Sequence, residues 1–328
     1  MRKIYIHIGL PKTGSTAIQR AFSKQRAQLL AEEGICYPGP MFFQGVLLGK
    51  FHPNGFDHPM FARLGFSKAK GQAVLTRTLR DIEDRIADPD CDFVVSAEQY
   101  FRLSSDSFAQ MRDYFQGLGL DPYLICYLRH PVSLQTSLIQ QNVKVRGARL
   151  AELMEHLVEP EIRDTLERVG AVFPADRLLI CSHEDTRKIG AQNHFLRLIR
   201  PDTKLELPDM AVNSSLSLAA VLALDIASAI YPDPADGKNL KSWARSLPGP
   251  NFDVSPDYAA LLRANSAPEM VWIEKQYGIT FRPPKQKLAD WKLTWAYRLH
   301  QFALKLVEAS QYFSKRARSE KMQATQSP

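Results

Sequence analysis

Short runs of β-branched and aromatic residues alternate with longer helical patterns along residues 1–200 of this chain. Each run is nearly continuous in apolar residues, and each is followed by a segment in which apolar residues recur at helical spacing. Because strands that helices cover on both faces are apolar throughout, this alternation predicts βαβ units around a parallel sheet, an α/β fold class. The expected strand and helix pairs are 3–8 with 15–32, 92–96 with 106–116, 123–128 with 132–145, and 178–181 with 185–199.

The C-terminal segment differs from the rest of the chain in charge. The 328 residues carry a formal net charge of +7, and 285–321 supplies most of it, with nine lysines and arginines against three acidic residues. We therefore predict one main domain at 1–284 and a basic helical tail at 285–328. The content of 45% hydrophobic and 23% charged residues suits a chain with a sizeable core and excludes disordered and collagen-like classes.

The tail has the pattern of an amphipathic helix over residues 288–313. Large apolar side chains recur there at helical spacing, with basic residues between and after them: Trp291, Trp295, Leu299, Phe302, Leu306 and Phe313. Two kinds of partner fit this pattern well, namely the protein's own body or a second copy (a homodimer), and the surface of an anionic membrane. Nucleic acid is disfavoured, because no recognisable nucleic-acid-reading module accompanies the charge.

The cysteines and the N-terminal segment bear on the cellular compartment. Cys36, Cys91, Cys126 and Cys181 are 35 or 55 residues apart, which excludes CxxC zinc or redox pairs, so buried free thiols are expected. The apolar run at 3–8 is too short for the core of a signal peptide, and no later run approaches the roughly 18 apolar residues of a membrane span. We expect a cytoplasmic protein, free or peripheral at the inner face of the membrane.

The segment 3–19, KIYIHIGLPKTGSTAIQ, joins the first expected strand to the first helix through a glycine-bracketed turn. Such a turn aims backbone N–H groups at an anion, and the dipole of the following helix adds partial positive charge. Gly9 and Gly14 match the nucleoside-triphosphatase pattern GxxxxGK[ST], but Ser15 stands at its lysine position, and the loop lysine is Lys12. A triphosphate would lose its main contact without that lysine. The loop therefore predicts a smaller anionic ligand.

A second polar cluster follows the strand expected at 123–128, in the sequence YLRHPVSLQTSLIQQ. Arg129 comes at the carboxyl end of that strand, where parallel sheets place ligand contacts. Pro131 fits the first turn of a helix, and Ser137 lies about two turns into it. The guanidinium and the hydroxyl together suit a second phosphate, although an arginine at a helix start also occurs in surface ion pairs.

These two segments together resemble the sulfotransferase family, which uses 3′-phosphoadenosine 5′-phosphosulfate (PAPS) as donor, and the wording HIGLPKTGST resembles its bacterial branch. The family's P-K-[ST]-G-[ST]-[ST] loop, which binds the 5′-phosphosulfate end, corresponds here to Pro11, Lys12, Thr13, Gly14, Ser15 and Thr16. Its 3′-phosphate motif, an arginine followed eight residues later by a serine, corresponds to Arg129 and Ser137. His130 departs from the aspartate that many members have after this arginine, and the Arg-Lys-Gly segment of cytosolic sulfotransferases is not found in the sequence.

The resemblance implies a fold and a reaction. The fold would be a P-loop nucleotide-binding fold with a central parallel sheet flanked by helices, plus a C-terminal helical extension. The reaction would be in-line transfer of a sulfuryl group from PAPS to an acceptor hydroxyl or amine. No metal is expected, because a sulfuryl group carries less charge than a phosphoryl group. Lys12 would neutralise charge on the leaving group, and residues 13–16 would donate hydrogen bonds to it.

The acceptor hydroxyl also needs a general base. Glu98 ends the strand-like segment DFVVSAE, on the same sheet edge as the loop, and is the first candidate. A pair with Arg102, or a cap on the following helix, would explain Glu98 without catalysis. His58, in the loop GFDHPMF, is the second candidate. His7 lies mid-strand among apolar residues, which favours a core histidine.

The segment 37–71 is the expected substrate-facing loop. It is rich in Gly, Pro, His and Phe, too long for a simple connection and too aromatic for a solvated linker. Its aromatic residues Phe42, Phe43, Phe51 and Phe56 would stack on a sugar or close on a lipid, although core packing would explain them equally. The acceptor is therefore expected to be a carbohydrate or a glycolipid.

Two other classes of function stay open on the residues alone. One is a P-loop kinase with a rearranged lysine, disfavoured because Ser15 occupies the lysine position. The other is a non-catalytic adaptor that keeps the nucleotide fold and works through its basic tail. Binding of ATP that depends on Mg²⁺ would identify the kinase. A biological role that survives Lys12→Ala but not deletion of 285–328 would identify the adaptor.

Overall fold

A computed structural model of the chain describes residues 2–38, 47–57, 61–62, 65, 67–85, 91–155, 162–210, 215–233, 235–282, 284 and 288–325. The chain forms two compact units. The first unit comprises 1–129, 160–212 and 268–282, and the second comprises 130–159, 213–267 and 283–328. The sequence-predicted boundary at residue 284 stays a prediction.

The first unit contains a five-stranded parallel sheet. Its strands are β1 (Arg2–His7), β2 (Ile35–Cys36), β3 (Asp92–Ser96), β4 (Leu120–Leu128) and β5 (Leu178–Ser182), in the spatial order β2-β3-β1-β4-β5. Central β1 pairs with β3, where Ile4 lies opposite Phe93, and with β4, where Ile6 lies opposite Leu124. The chain places β2 and β3 on one side of β1 and β4 and β5 on the other. The strand order therefore reverses at β1, and its carboxyl end is the topological switch point at which α/β sheets bind ligands.

Helices surround the sheet and build the second unit. Those of the first unit are α1 (Ser15–Lys24), α2 (Arg26–Glu33), α3 (Leu48–Phe51), α4 (Lys68–Glu83), α5 (Ser105–Gly117), α8 (Ile162–Gly170) and α9 (Ala191–Ile199). Those of the second unit are α6 (Pro131–Arg146), α7 (Leu150–Glu155), α10 (Leu218–Ile230), α11 (Lys238–Arg245) and α13 (Asp290–Thr325). Helix α12 (Pro256–Tyr277) begins in the second unit and ends in the first.

Both faces of the sheet are buried. Ile4 and Ile6 of β1 belong to one apolar cluster, together with Phe108 of α5. Tyr5, between them, belongs to the opposite cluster, together with Phe22 of α1 and residues of α9. This alternation confirms the α/β class and the expected parallel sheet flanked by helices.

Several boundaries differ from those expected. The helix predicted at 15–32 is two helices that meet at Gln25, although the sequence has no glycine or proline there. The helix predicted at 185–199 starts as a 3₁₀ helix, His183–Lys188, and Gly190, at φ 81°, separates that turn from α9.

The four cysteines are free thiols. In the described part of the chain, none of the helices is both long enough and apolar enough to cross a bilayer.

The segment 37–71 contains regular structure where it is described. It includes α3, a 3₁₀ turn at Gly55–Asp57 and the first residues of α4. Phe51 is buried against Tyr114 and Phe115, and Phe56 packs on Phe61 with ring centroids 4.8 Å apart. Phe51 therefore belongs to the core, which leaves it no face for a sugar, whereas Phe56 is half-buried and packs against the edge of that core. Phe42 and Phe43 lie outside the described residues, and the role of the segment in substrate binding stays a prediction.

The second unit has its own apolar core and a buried charged cluster. Asp225 of α10 is fully buried, and its Oδ1 accepts hydrogen bonds from the Leu150 N–H at 2.6 Å and from Arg149 Nε at 3.1 Å. Its Oδ2 lies 3.0 Å from Nε2 of His300 in α13. Burial alone would raise the pKa of Asp225, but the bonds from His300, Leu150 and Arg149 outweigh burial and lower it. The cluster ties the C-terminal helix to α10.

Candidate active site

The turn between β1 and α1 has a backbone that few residues adopt. Gly9, Lys12 and Gly14 all have positive φ, at 69°, 66° and 88°, and among the described residues Lys12 is the one non-glycine residue in this region. A left-handed non-glycine residue costs about 1 kcal/mol or more. The fold maintains that strain where the chain passes the switch point of the sheet.

Two hydroxyls of the turn have different surroundings. Thr13 is fully buried, and its Oγ1 donates to the Leu10 carbonyl at 2.7 Å, so this hydroxyl holds the turn together. Ser15 Oγ is also buried, but none of the described residues hydrogen-bonds to it. Gly14 occupies the N-cap of α1 without a side-chain cap. A buried hydroxyl and uncapped amides at a helix N-terminus suit an anionic group.

Arg129, the first residue after β4, is bound to the turn. Its Nη1 donates to the Lys12 carbonyl at 2.6 Å, so the arginine supports the strained residue of the loop. Burial lowers the pKa of this guanidinium, and Glu184 opposes part of that shift. Because this buried cation contacts the turn, it strengthens the preference of the turn for an anionic ligand.

Glu98 follows β3 and begins a 3₁₀ helix, Glu98–Arg102. Its backbone packs on the turn, because a Cβ placed on Gly9 would lie 3.2 Å from the Glu98 Cα. Burial raises the pKa of the Glu98 carboxyl, while the charges of Lys12 and Arg102 lower it in part. The predicted base and the predicted catalytic lysine therefore lie within electrostatic reach of each other at one sheet edge.

His183 is a residue of this site that the sequence reasoning missed. It follows β5 in the segment LLICSHED, and a Cβ placed on Gly14 would lie 3.8 Å from the His183 Cε1. Burial and the charge of Arg129 lower the pKa of His183 to about 4, so the imidazole is neutral at neutral pH. The sequence does carry a signal for it, because His183 follows directly after the apolar run 178–181, and residues at the carboxyl ends of parallel strands face the ligand-binding edge of the sheet.

The other predicted residues are placed as follows. Pro11 and Thr16 lie at the two ends of the turn, each half-buried. Ser137 is half-buried on α6, in the second unit, whereas Arg129 ends the first; their joint action on a phosphate stays a prediction. His58 lies outside the described residues.

His130 caps α6, because its Nδ1 accepts the Val132 N–H at 3.2 Å. An aspartate in its place could make the same bond.

His7 belongs to the core beneath the site. Its Nδ1 lies 2.7 Å from Ser96 Oγ, and the ring is fully buried. Burial lowers the pKa of His7 to about 3. The described residues contain no cluster of three or more His, Cys, Asp or Glu side chains arranged to hold a metal ion.

Comparison with known proteins finds similarity in structure and none in sequence. The chain matches no known family profile, and no curated protein sequence matches it. A sulfotransferase from Alicyclobacillus acidocaldarius superposes with a TM-score of 0.52 over 86% of this chain and 98% of that one, at 13% identity.

Two further solved structures are more distant in shape. The sulfotransferase domain of the Synechococcus PCC 7002 olefin synthase has a TM-score of 0.35 and 17% identity, over 81% of this chain and 94% of that one. The sulfotransferase domain of the curacin biosynthetic pathway has a TM-score of 0.32 and 13% identity, over 81% and 97%. The Alicyclobacillus structure carries the conclusion on fold. The chain has the α/β, P-loop-like fold of the sulfotransferases, as its sequence resemblance implied.

Proposed function

We propose that the protein is a sulfotransferase that uses PAPS as donor and transfers the sulfuryl group to a hydroxyl or amine of an acceptor. The observation that carries this proposal is the strained turn at Lys12, which holds a buried Ser15 hydroxyl and whose Lys12 carbonyl is bound by Arg129. A nucleoside triphosphate suits the turn less well, because Ser15 stands where the triphosphatase pattern has its lysine.

The residues of the turn fit the 5′-phosphosulfate end of PAPS. The N–H groups at the start of α1 and the hydroxyls of Ser15 and Thr16 would bind its oxygens, and the Thr13 hydroxyl would keep the turn in shape. Lys12 would place its charge on the leaving phosphate, and Arg129 with Ser137 would bind the 3′-phosphate. When bound, PAPS supplies an activated sulfuryl group. Fixed amides and a lysine stabilise the departing charge without a metal.

Glu98 is the proposed general base. Burial raises the pKa of Glu98, which strengthens the carboxylate as a proton acceptor once it is ionised. Its position after β3, packed on Gly9, directs it to the same edge of the sheet as the turn. His58 is the second candidate for this role, and His183, neutral beside Gly14, is better placed to bind the donor.

For the acceptor we propose a carbohydrate or a glycolipid. The support is the aromatic content of the segment 37–71, of which Phe42 and Phe43 remain as candidates for stacking on a sugar face. Phe51 is excluded from that role by its burial in the core, and Phe56, half-buried, keeps one part of its ring exposed.

The test is transfer of radiolabelled sulfate from PAPS to a panel of sugars and glycolipids, with EDTA present throughout. We expect a labelled product with the unmodified protein, a loss of at least about 100-fold with Lys12→Ala, and a comparable loss with Glu98→Gln. Arg77→Gln, a change of an exposed cation on α4, is the matched control and should keep full activity. Activity unchanged in Lys12→Ala, or ATP-dependent phosphorylation that requires Mg²⁺, would overturn the proposal.

A further inference from the structure

The C-terminal helix α13 has one face fixed against the second unit. Leu293, His300 and Leu304 are buried on that face, and His300 contacts Asp225 of α10. The Tyr297 hydroxyl donates to the Asp253 carbonyl at 2.9 Å. These contacts set the rotation of the helix about its axis, so the residues on the other side face outward.

The outward side carries a continuous apolar row. Five large side chains are each more than half exposed: Trp291 (64%), Trp295 (59%), Leu299 (58%), Phe302 (61%) and Leu306 (56%). At about 100° per residue they fall within an arc of about 80° and extend over roughly 22 Å of the helix. We call these five residues the outer stripe. Exposed apolar side chains are normal singly, but a contiguous row of this kind marks an interaction surface.

Basic side chains border the outer stripe on both sides. Lys292, Arg298 and Lys305 are exposed and, by the same helical geometry, lie within about 40° of its edges. Lys292 Nζ lies 5.4 Å from the ring centroid of Trp291. The acidic residues Asp290 and Glu308 fall about 100° away from the stripe. The surface that the helix presents is therefore apolar along its middle and positive along its borders.

We propose that the outer stripe docks on an anionic lipid bilayer, with α13 parallel to the membrane plane. The tryptophan, phenylalanine and leucine side chains would enter the headgroup region, and the bordering cations would meet anionic headgroups. A second copy of the chain fits less well, because two stripes in contact would bring Arg298 and Lys305 against the same cations of the partner. The helix continues to Thr325 through a segment that holds Lys315, Arg316, Arg318 and Lys321 against Glu320, which adds to the positive charge.

The test is sedimentation of the full-length protein with vesicles. We expect binding to phosphatidylcholine vesicles that contain about 30 mol% phosphatidylglycerol, and at least about tenfold weaker binding to phosphatidylcholine alone, because each cation near an anionic surface contributes roughly fivefold. Salt at about 1 M, which shortens the Debye length to about 3 Å, should weaken the binding. The double variant Trp295→Glu and Phe302→Glu should lose at least about tenfold in affinity, since it lacks the two rings whose transfer out of water would favour binding.

The controls separate this surface from other causes. Both replaced side chains are exposed, so the circular dichroism spectrum should not change. Val145→Glu with Leu261→Glu introduces the same charge at exposed apolar positions of α6 and α12 and should bind as the unmodified protein does. Equal binding by the stripe variant and its control would overturn the proposal. So would a failure of the unmodified protein to bind anionic vesicles, or a concentration-dependent dimer in light scattering that the stripe variant abolishes.

Discussion

At the scale of single residues, the turn after β1 is shaped by what lies directly against it. A Cβ on Gly14 would lie 2.6 Å from the Ala191 Cβ, and φ there is 88°. Both facts require glycine at this position. A side chain would clash with the Cβ of Ala191, and residues with a Cβ rarely adopt a positive φ. Arg129, which follows the neighbouring strand β4, donates a hydrogen bond to the Lys12 carbonyl. This bond stabilises the strained conformation of Lys12.

The first residue-scale prediction is that Gly14→Ala weakens donor binding. The new methyl group would displace α9 or the turn, and binding of adenosine 3′,5′-bisphosphate should fall at least about tenfold. Gly119→Ala is the matched control, because Gly119 also has positive φ, at 76°, but has open space around its Cα. Calorimetric titration would compare the two. Similar affinities in both variants would show that the shape of the turn does not decide binding.

The second concerns the pH dependence of Glu98. The base must be ionised, so kcat/KM should rise with pH through the raised pKa of Glu98. Arg102→Gln removes a charge that lowers this pKa, so the rising limb should move to higher pH. Arg77→Gln should leave the limb in place. A profile measured between about pH 4 and 9 that is identical in Arg102→Gln and the unmodified protein would rule out Glu98 as the titrating base.

At the scale of elements, the sequence predicted four of the five strands and helices that include α5, α6 and α13, because apolar runs and helical periodicity are local signals. It gave no bounds for the long helices α4 and α12. The strand β2 was missed, since Ile35 and Cys36 are too few for a pattern. For the candidate site, the sequence predicted that Lys12 and Glu98 lie at one sheet edge, because the carboxyl ends of parallel strands share that edge, and they lie there. The hydrogen bond from Thr13 to Leu10 and the approach of His183 to Gly14 could not be predicted. Both depend on the packed three-dimensional structure, which local sequence patterns do not show.

The start of α6 gives the prediction at this scale. His130 accepts the Val132 N–H, and Pro131 follows at the first helical position, as the sequence predicted. His130→Ala should lower the free energy of unfolding by about 1 kcal/mol or more, because the cap is lost in a buried place. His130→Asp should recover most of the loss, since a carboxylate serves the same amide. Chemical denaturation of the two variants would measure the difference, and equal losses would show that packing, not capping, explains His130.

At the scale of the whole molecule, the charged cluster around Asp225 secures the C-terminal helix to the second unit. Its carboxylate is fully buried and contacts Arg149, the Leu150 N–H and His300. Its lowered pKa means that the cluster stabilises the fold above the ordinary pKa of an aspartate, and that this contribution is lost as the pH falls through the lowered value.

Removal of this carboxylate should be among the costliest single changes in the second unit. Asp225→Ala leaves a half-buried arginine, a buried histidine and the Leu150 N–H without their partner, and we expect a loss of about 3 kcal/mol in stability. Asp236→Ala, a change of an exposed aspartate in the same unit, should cost no more than about 0.5 kcal/mol. Thermal unfolding would measure both. A small effect of Asp225→Ala would show that the cluster contributes little to holding α13.

We propose that the turn at Lys12 and the Arg129 guanidinium together form the donor site of a sulfotransferase. Calorimetric titration with adenosine 3′,5′-bisphosphate, without metal, is the decisive measurement, with ATP plus Mg²⁺ as the comparison ligand. We expect micromolar binding of the bisphosphate that is lost in both Lys12→Ala and Arg129→Ala and retained in Arg77→Gln. Absence of bisphosphate binding, or a preference for ATP with Mg²⁺, would refute the donor site.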